Sequence, residues 1–243
     1  MQIIITKNYD EMSQKVAEII KQSLLKKPNL VLGLATGSTP LGTYQEIIKK
    51  HKKEKLDFSQ VTTFNLDEYV NLSSDHPQSY NYYMQKNLFQ QINLQEKNIF
   101  IPDGKAQDLD KYCAWYEEKI QEKGGIDLQI VGIGRNGHIG FNEPGSKFSS
   151  QTRVISLDRK TIEDNARFFA DISQVPRKAI TMGIAGILQA KKILLLANGE
   201  HKAEIVFQAL KGRISEDLPA SVLQKHPDLV VILDQEAGKL IQN

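Results

Sequence analysis

Apolar positions along this chain recur in two rhythms. Between residues 10 and 24 they fall at Met12, Val16, Ile19, Ile20 and Leu24, the spacing of one helical face. Asp10 is placed to cap that helix, and Pro28-Asn29 to end it. At 30–34 the apolar positions run on unbroken, as in a parallel strand buried on both faces. The alternation continues. Further strands are predicted at 3–5, 61–66, 98–101, 128–133, 153–157, 192–197 and 229–233. Helices are predicted through Tyr44, Ile47 and Ile48, then at 79–89, 109–120, 159–169 and 200–210, with a short one at the C-terminus. Residues 180–183 carry no decisive period. Strands that alternate with helices predict an α/β protein, a three-layer αβα Rossmann-like fold with a mostly parallel sheet. No composition shift marks a linker, so one domain over 1–243 is expected.

Composition narrows the picture by exclusion. The chain has 243 residues, 40% hydrophobic and 25% charged, which is ordinary for a soluble globular protein. Its 31 basic and 29 acidic residues leave a net charge of +2, and no basic block points to nucleic acid. The mixed run at 51–55 reads as the solvated end of a helix. Cys113 is the single cysteine, so no internal disulfide forms, and its helical setting reads as packed and inert. No signal peptide is visible, and no apolar run approaches the ~18 residues of a membrane span. A cytoplasmic location follows by elimination.

In open α/β sheets, ligands bind beyond the carboxyl ends of strands, and three candidate motifs fall there. Gly33-Leu34-Ala35-Thr36-Gly37-Ser38-Thr39-Pro40 leads from a strand into a helix. The helix dipole and free N–H groups there favour an anion, and Ser38 and Thr39 add hydroxyl donors. It lacks the lysine and spacing of a P-loop and the spacing of a dinucleotide site. An ordinary N-cap fits the same residues.

Phe64-Asn65-Leu66-Asp67-Glu68-Tyr69 sets two carboxylates at a strand end. Crowding and partial desolvation would raise the pKa of Asp67 toward general-base use. An Asp67 that caps a turn beside a solvated Glu68 fits equally. The third motif, Gly132-Ile133-Gly134-Arg135-Asn136-Gly137-His138-Ile139-Gly140-Phe141-Asn142-Glu143-Pro144, ends a strand in a glycine-rich loop. His138 can exchange protons near neutral pH, and Glu143 can fix its tautomer. A glycine-rich loop with a merely hydrogen-bonded histidine is the other reading. Neither H-x-x-x-H nor C-x-x-C occurs, so no metal is expected, and the absence of G-x-S-x-G argues against a serine hydrolase. Together the motifs suit proton transfer on a phosphorylated small molecule.

Read together, these motifs resemble the glucosamine-6-phosphate deaminase family. The likeness extends through Asn165-Ala166-Arg167-Phe168-Phe169, Gln174-Val175-Pro176 and Gly199-Glu200-His201-Lys202-Ala203, and so covers nearly the whole chain. The Phe141-Asn142-Glu143-Pro144 element is its most specific part. The resemblance implies conversion of glucosamine 6-phosphate to fructose 6-phosphate and ammonia, in N-acetylglucosamine catabolism, without a cofactor. Carried over residue by residue, it implies that His138 assists ring opening, with Glu143 and Asn136 holding or tuning it. Asp67 takes the C2 proton. Gly37, Ser38 and Thr39 hold the phosphate, with Arg167 and Lys202 supplying charge. Residues at about 150–177 correspond to the family's mobile lid. Two departures stand out. Many long-form members carry Asp where Asn136 stands, and a basic residue where Ile155 stands. The short bacterial form is the better match, which implies a monomer without allosteric activation. A 6-phosphogluconolactonase-type hydrolase and a sugar-phosphate-sensing regulator are the rival readings.

Overall fold

In the computed structural model, which describes residues 1–157, 162, 171 and 174–241, the unbroken apolar runs become a parallel sheet. Its seven strands are β1 (Gln2–Thr6), β2 (Val31–Leu34), β3 (Thr62–Asn65), β5 (Ile99–Phe100), β6 (Leu128–Gly132), β9 (Ile193–Ala197) and β10 (Leu229–Asp234). They lie in the order β1-β10-β9-β6-β2-β3-β5. Every pairing in this sheet is parallel. All residues of β2, β3, β9 and β10 are buried, because helices cover both faces.

Helix α1 (Tyr9–Lys26) buries Met12, Val16, Ala17, Ile20 and Leu24. Its cap is Asn8, whose side chain accepts from the Glu11 N–H, so the expectation for Asp10 is corrected. Asp10 instead sits in the first turn, where its charge favours the helix dipole. Helix α2 (Ser38–Glu54) follows β2, and its basic last turn is solvated as expected. Helix α4 (Leu109–Glu122) buries Cys113, Tyr116 and Ile120. The burial of Cys113 pushes its thiol up to about 11, which keeps it protonated and unreactive near neutral pH.

A second sheet was not expected. Strand β4 (Asp67–Tyr69) leaves the end of β3 after one residue and pairs antiparallel with β8 (Lys178–Thr181). The latter pairs antiparallel with β7 (Arg153–Ser156). Residues 180–183, undecided by period, thus contain the end of a strand. Asp67 begins a strand in the small sheet just past the end of one in the large sheet, with Thr181 as its partner. Helix α3 (Tyr80–Asn87), capped by Ser79, follows β4.

One helix without a predicted counterpart appears, and two other expectations change. Helix α5 (Ile184–Leu188) is a single short segment before β9. The helix expected at 200–210 divides into a 3₁₀ turn at Glu200–Lys202 and α6 (Ala203–Lys211). After β10 the described residues form turns rather than a terminal helix. The helix expected at 159–169 lies almost wholly outside the described residues. Among the described residues no helix is long and apolar enough to cross a membrane.

Candidate active site

The chain runs from β2 through β3 to β5 on one side of the sheet, and from β6 through β9 to β10 on the other. Order therefore reverses between β2 and β6. Adjacent loops diverge at such a point and leave a crevice beyond the strand ends. A cavity of about 240 Å³ opens there, lined from the ends of four adjacent strands, β9, β6, β2 and β3. Of the expected residues, Gly37, Ser38, Thr39, Asp67, His138 and Lys202 all line it. Glu143 and Asn136 stand behind His138. Arg167 lies outside the described residues.

Part of the cavity wall is built for an anion. Gly37, at φ +100°, precedes α2 in a conformation that a side chain would strain. Gly37 has no side chain to cap this helix; Tyr9 Oη takes the Gly42 N–H at 2.7 Å, and the N–H groups of Ser38 and Thr39 ahead of it are left toward the cavity. The carbonyls beside them are tied away by hydroxyls from other helices. Tyr83 Oη donates to Gly37 O at 2.6 Å, and Tyr9 Oη to Ser38 O at 2.8 Å. Thr39 Oγ1 donates to Asn198 Oδ1 at 2.9 Å. Lys202 approaches from beyond β9, and its Nζ donates to Ile133 O at 2.6 Å. Burial, with the Arg135 charge nearby, pushes its ammonium down to about 8. A half-buried cation without a carboxylate gains most from an incoming anion.

The same cavity carries the acid–base groups. Asp67 is almost fully buried. Desolvation, then the Glu68 charge, pushes its carboxyl up to about 8, against which a hydrogen bond from the Phe141 N–H works. That same N–H lies 3.1 Å from Thr181 Oγ1. The loop passes close because residue 140 is glycine. Gly140 sits at φ +56°, and a Cβ there would stand 3.2 Å from Asp67 Oδ2 and from Thr181 Oγ1.

His138 Nδ1 lies 3.2 Å from Glu143 Oε1, so the two expected groups stand side by side, though the angle between them does not make a hydrogen bond. Asn136 does two things for them. Its Nδ2 donates to Glu143 Oε2, and its Oδ1 accepts from the His138 N–H at 3.2 Å. The amide therefore aims the carboxylate as well as the loop. Asn142 anchors the base of the loop with no solvent exposure. Its Nδ2 donates to Ile139 O and Met182 O, and its Oδ1 accepts from Arg153 Nη1, each at 2.9 Å.

Two features of the site were not anticipated. Tyr80 lines the cavity, stacked on Phe141 with centroids 5.9 Å apart. Glu68, solvated in one sequence reading, is instead buried. Neither shows a local signal, since their partners come from other elements. Ile155, at the position where long-form relatives are basic, packs against an apolar cluster containing Tyr69 and Phe141. Among the described residues, no three His, Cys, Asp or Glu side chains are grouped to hold a metal ion.

An α/β protein with an anion cradle facing a proton-transfer site belongs, as a class, among enzymes acting on small phosphorylated substrates. Comparison makes the assignment specific. The family model described as glucosamine-6-phosphate isomerases/6-phosphogluconolactonase matches residues 6–231, and the chain belongs to this family. A glucosamine-6-phosphate deaminase of Thermoanaerobacter pseudethanolicus is 56% identical over 241 residues, covering 99% of this chain and 95% of that protein. Its counterpart in Clostridium perfringens is 51% identical over 242 residues, covering all of both chains. A solved monomeric glucosamine-6-phosphate deaminase superposes with a TM-score of 0.95 at 50% identity, over 99% of this chain and all of that one. A 6-phosphogluconolactonase from Trypanosoma cruzi shares the fold, with a TM-score of 0.79 at 19% identity over all of this chain and 97% of that one.

Proposed function

We propose that this protein is a glucosamine-6-phosphate deaminase, converting glucosamine 6-phosphate and water to fructose 6-phosphate and ammonia. The observation that carries the reading is Asp67, a buried carboxyl held near 8, sharing one cavity with His138 and an anion cradle. A group that must take a proton from carbon and give it back works best with a pKa near the working pH. Full-length relatives of this name at 51–56% identity support the same substrate.

The steps follow from the residues. Gly37, Ser38, Thr39 and Lys202 hold the phosphate by charge-assisted hydrogen bonds, which fix orientation as well as affinity. His138, steadied by Glu143 and Asn136, moves a proton from the anomeric hydroxyl to the ring oxygen, and the ring opens. Asp67 removes the C2 proton, leaving the enolate form of an enolamine, and returns it to C1, while one amine proton passes to O1. The product is a 2-imine. Water adds at C2, ammonia leaves, and the C2 carbonyl of fructose 6-phosphate remains. A lid over about 150–177, carrying Arg167, completes the phosphate site in this scheme. The protein acts as a single-domain cytoplasmic monomer in amino-sugar catabolism, in keeping with the monomeric relative of solved structure.

One assay tests the function. Purified protein given glucosamine 6-phosphate is expected to release ammonia and form fructose 6-phosphate, with 6-phosphogluconolactone hydrolysis at background. Lactone hydrolysis without ammonia would transfer the protein to the other activity of its family.

The pH dependence is expected to be narrow. Asp67 must be ionised to act, so kcat/KM rises with pH toward about 8. Lys202 must be charged to attract phosphate in the free enzyme, so kcat/KM falls above about 8. The Lys202→Arg variant replaces a titrating cation with one that stays charged. Its kcat/KM profile should lose much of the alkaline limb and keep the acid limb. An unchanged alkaline limb would remove Lys202 from phosphate binding.

A further inference from the structure

Glu68 is 3% exposed, yet no cation pairs with it among the described residues. Such a carboxylate is costly to bury unless hydrogen bonds replace its water. Here three backbone N–H groups do so. The Tyr69 N–H donates to Oε1 at 2.8 Å, the Tyr80 N–H to Oε1 at 3.0 Å and the Asn81 N–H to Oε2 at 2.8 Å. Tyr80 and Asn81 open α3. The next donor, the Tyr82 N–H, is taken by Ser79 Oγ at 3.0 Å. Glu68 thus closes a helix N-terminus from a different element, where the dipole favours its charge.

A cap alone does not require this residue. Ser79 already caps α3, and a serine or asparagine satisfies such donors without burying a charge. What the site adds is position. Glu68 follows Asp67 in β4, and the helix it holds delivers Tyr80 to the cavity wall. Tyr80 stacks on Phe141, whose N–H serves Asp67, and Tyr69 packs against both rings, at 4.9 Å from Tyr80 and 5.6 Å from Phe141. One carboxylate therefore links β4, α3 and, through the rings, the catalytic loop.

We propose that Glu68 is a positioning residue for Asp67: held on N–H groups of both β4 and α3, its carboxylate locks the two elements together and sets Tyr80 and the Phe141 loop against the base, with its own charge next to Asp67 along the strand. This rests on the role given to Asp67 above. The groups that face Asp67 are Glu68 and Tyr69 on its own strand, Thr181 on β8, Tyr80 on α3, Tyr116 on α4, which burial keeps neutral, the Phe141 N–H, and His138 and Lys202 in the same cavity. Tyr69 and Tyr80 are held neutral by burial, so Glu68 is the anion nearest Asp67 in sequence and in effect. Burial and the nearby Asp103 charge push the Glu68 carboxyl up, and its three backbone N–H bonds work against them to keep it ionised.

The test is the pH profile of ammonia release by wild type, Glu68→Gln and Glu68→Asp. Without the neighbouring charge, Asp67 ionises more easily. The acid limb of kcat/KM for Glu68→Gln should therefore move to lower pH, by roughly one pH unit. Its plateau kcat should fall by about threefold or more, since the base is weaker. Glu68→Asp keeps the charge and should keep the acid limb within a few tenths of wild type. An acid limb that stays in place for Glu68→Gln, whatever happens to kcat, would leave Glu68 a helix cap only. A wild type that releases no ammonia would defeat the function, not this inference. Should Glu68→Gln fail to fold, the Asp67 carboxyl is read directly by carboxyl ¹³C NMR in wild type and Glu68→Ser, since a serine can take the same helix donors without a charge. Without the neighbouring charge Asp67 should titrate at lower pH than in wild type. An identical titration would overturn the proposal.

Discussion

Asp67→Asn is expected to lower kcat for ammonia release by roughly 10²–10⁴-fold, the usual span for removing a general acid–base group. The amide cannot take a proton from C2, while the cradle of Gly37, Ser38, Thr39 and Lys202 is built by other segments of the cavity wall and keeps all its groups. Fructose 6-phosphate affinity, measured by calorimetry, should change by less than about threefold. Loss of binding along with turnover would make Asp67 structural.

The same substitution should stabilise the fold. Asp67 has its pKa raised on folding, from 3.8 to about 8. The native state therefore holds a proton that the unfolded state releases between those values. Stability from this group is fully present below about pH 4 and is lost as pH rises through about 8. Above pH 8 the wild type carries a buried charge that Asn lacks. The variant should gain a few kcal/mol there, or roughly 5–10 °C in Tm, and little at pH 4. Thermal melts at pH 4, 7 and 9 check the trend. An activity loss paired with a stability gain is the mark of a group strained for function.

His138→Gln is expected to lower kcat by about 10²-fold or more, for a different reason. Its ring, beside Glu143 at 3.2 Å, serves the opening of the sugar, whereas Asp67 serves C2. Deuterium at C2 separates the two. In His138→Gln, ring opening limits turnover, and the isotope effect on kcat should fall toward one. In Asp67→Glu, whose carboxyl is displaced by a methylene, C–H cleavage limits and the effect should rise. A large isotope effect in His138→Gln would put the histidine on the C2 proton.

Much of the site was readable because its parts are local. The Gly37–Thr39 turn announces itself by a glycine before hydroxyl residues and a helix. His138, Asn136 and Glu143 lie within eight residues, and the structure closes them into one hydrogen-bonded group. Where sequence reasoning slipped, a short-range competitor prevailed. Asn8 beat Asp10 to the cap because its side chain reaches the Glu11 N–H at 2.9 Å. Residues 180–183 gave no period because β8 lies between β4 and β7 in a small sheet and ends at Thr181, partner of Asp67.

The order of residues by itself determined the parallel sheet, the helix faces and the three loops that carry chemistry, since each depends on a period or a turn spanning a few positions. Only the tertiary structure decided that those loops meet. It required β6 to lie beside β2, with the chain reversing direction across the sheet between them. It also decided that Asp67 stands where one sheet hands the chain to another, and that Glu68 is buried beside it on N–H groups twelve and thirteen residues away. The physical reason is range. Burying a carboxylate depends on donors and apolar cover brought from distant segments, and no local pattern records them.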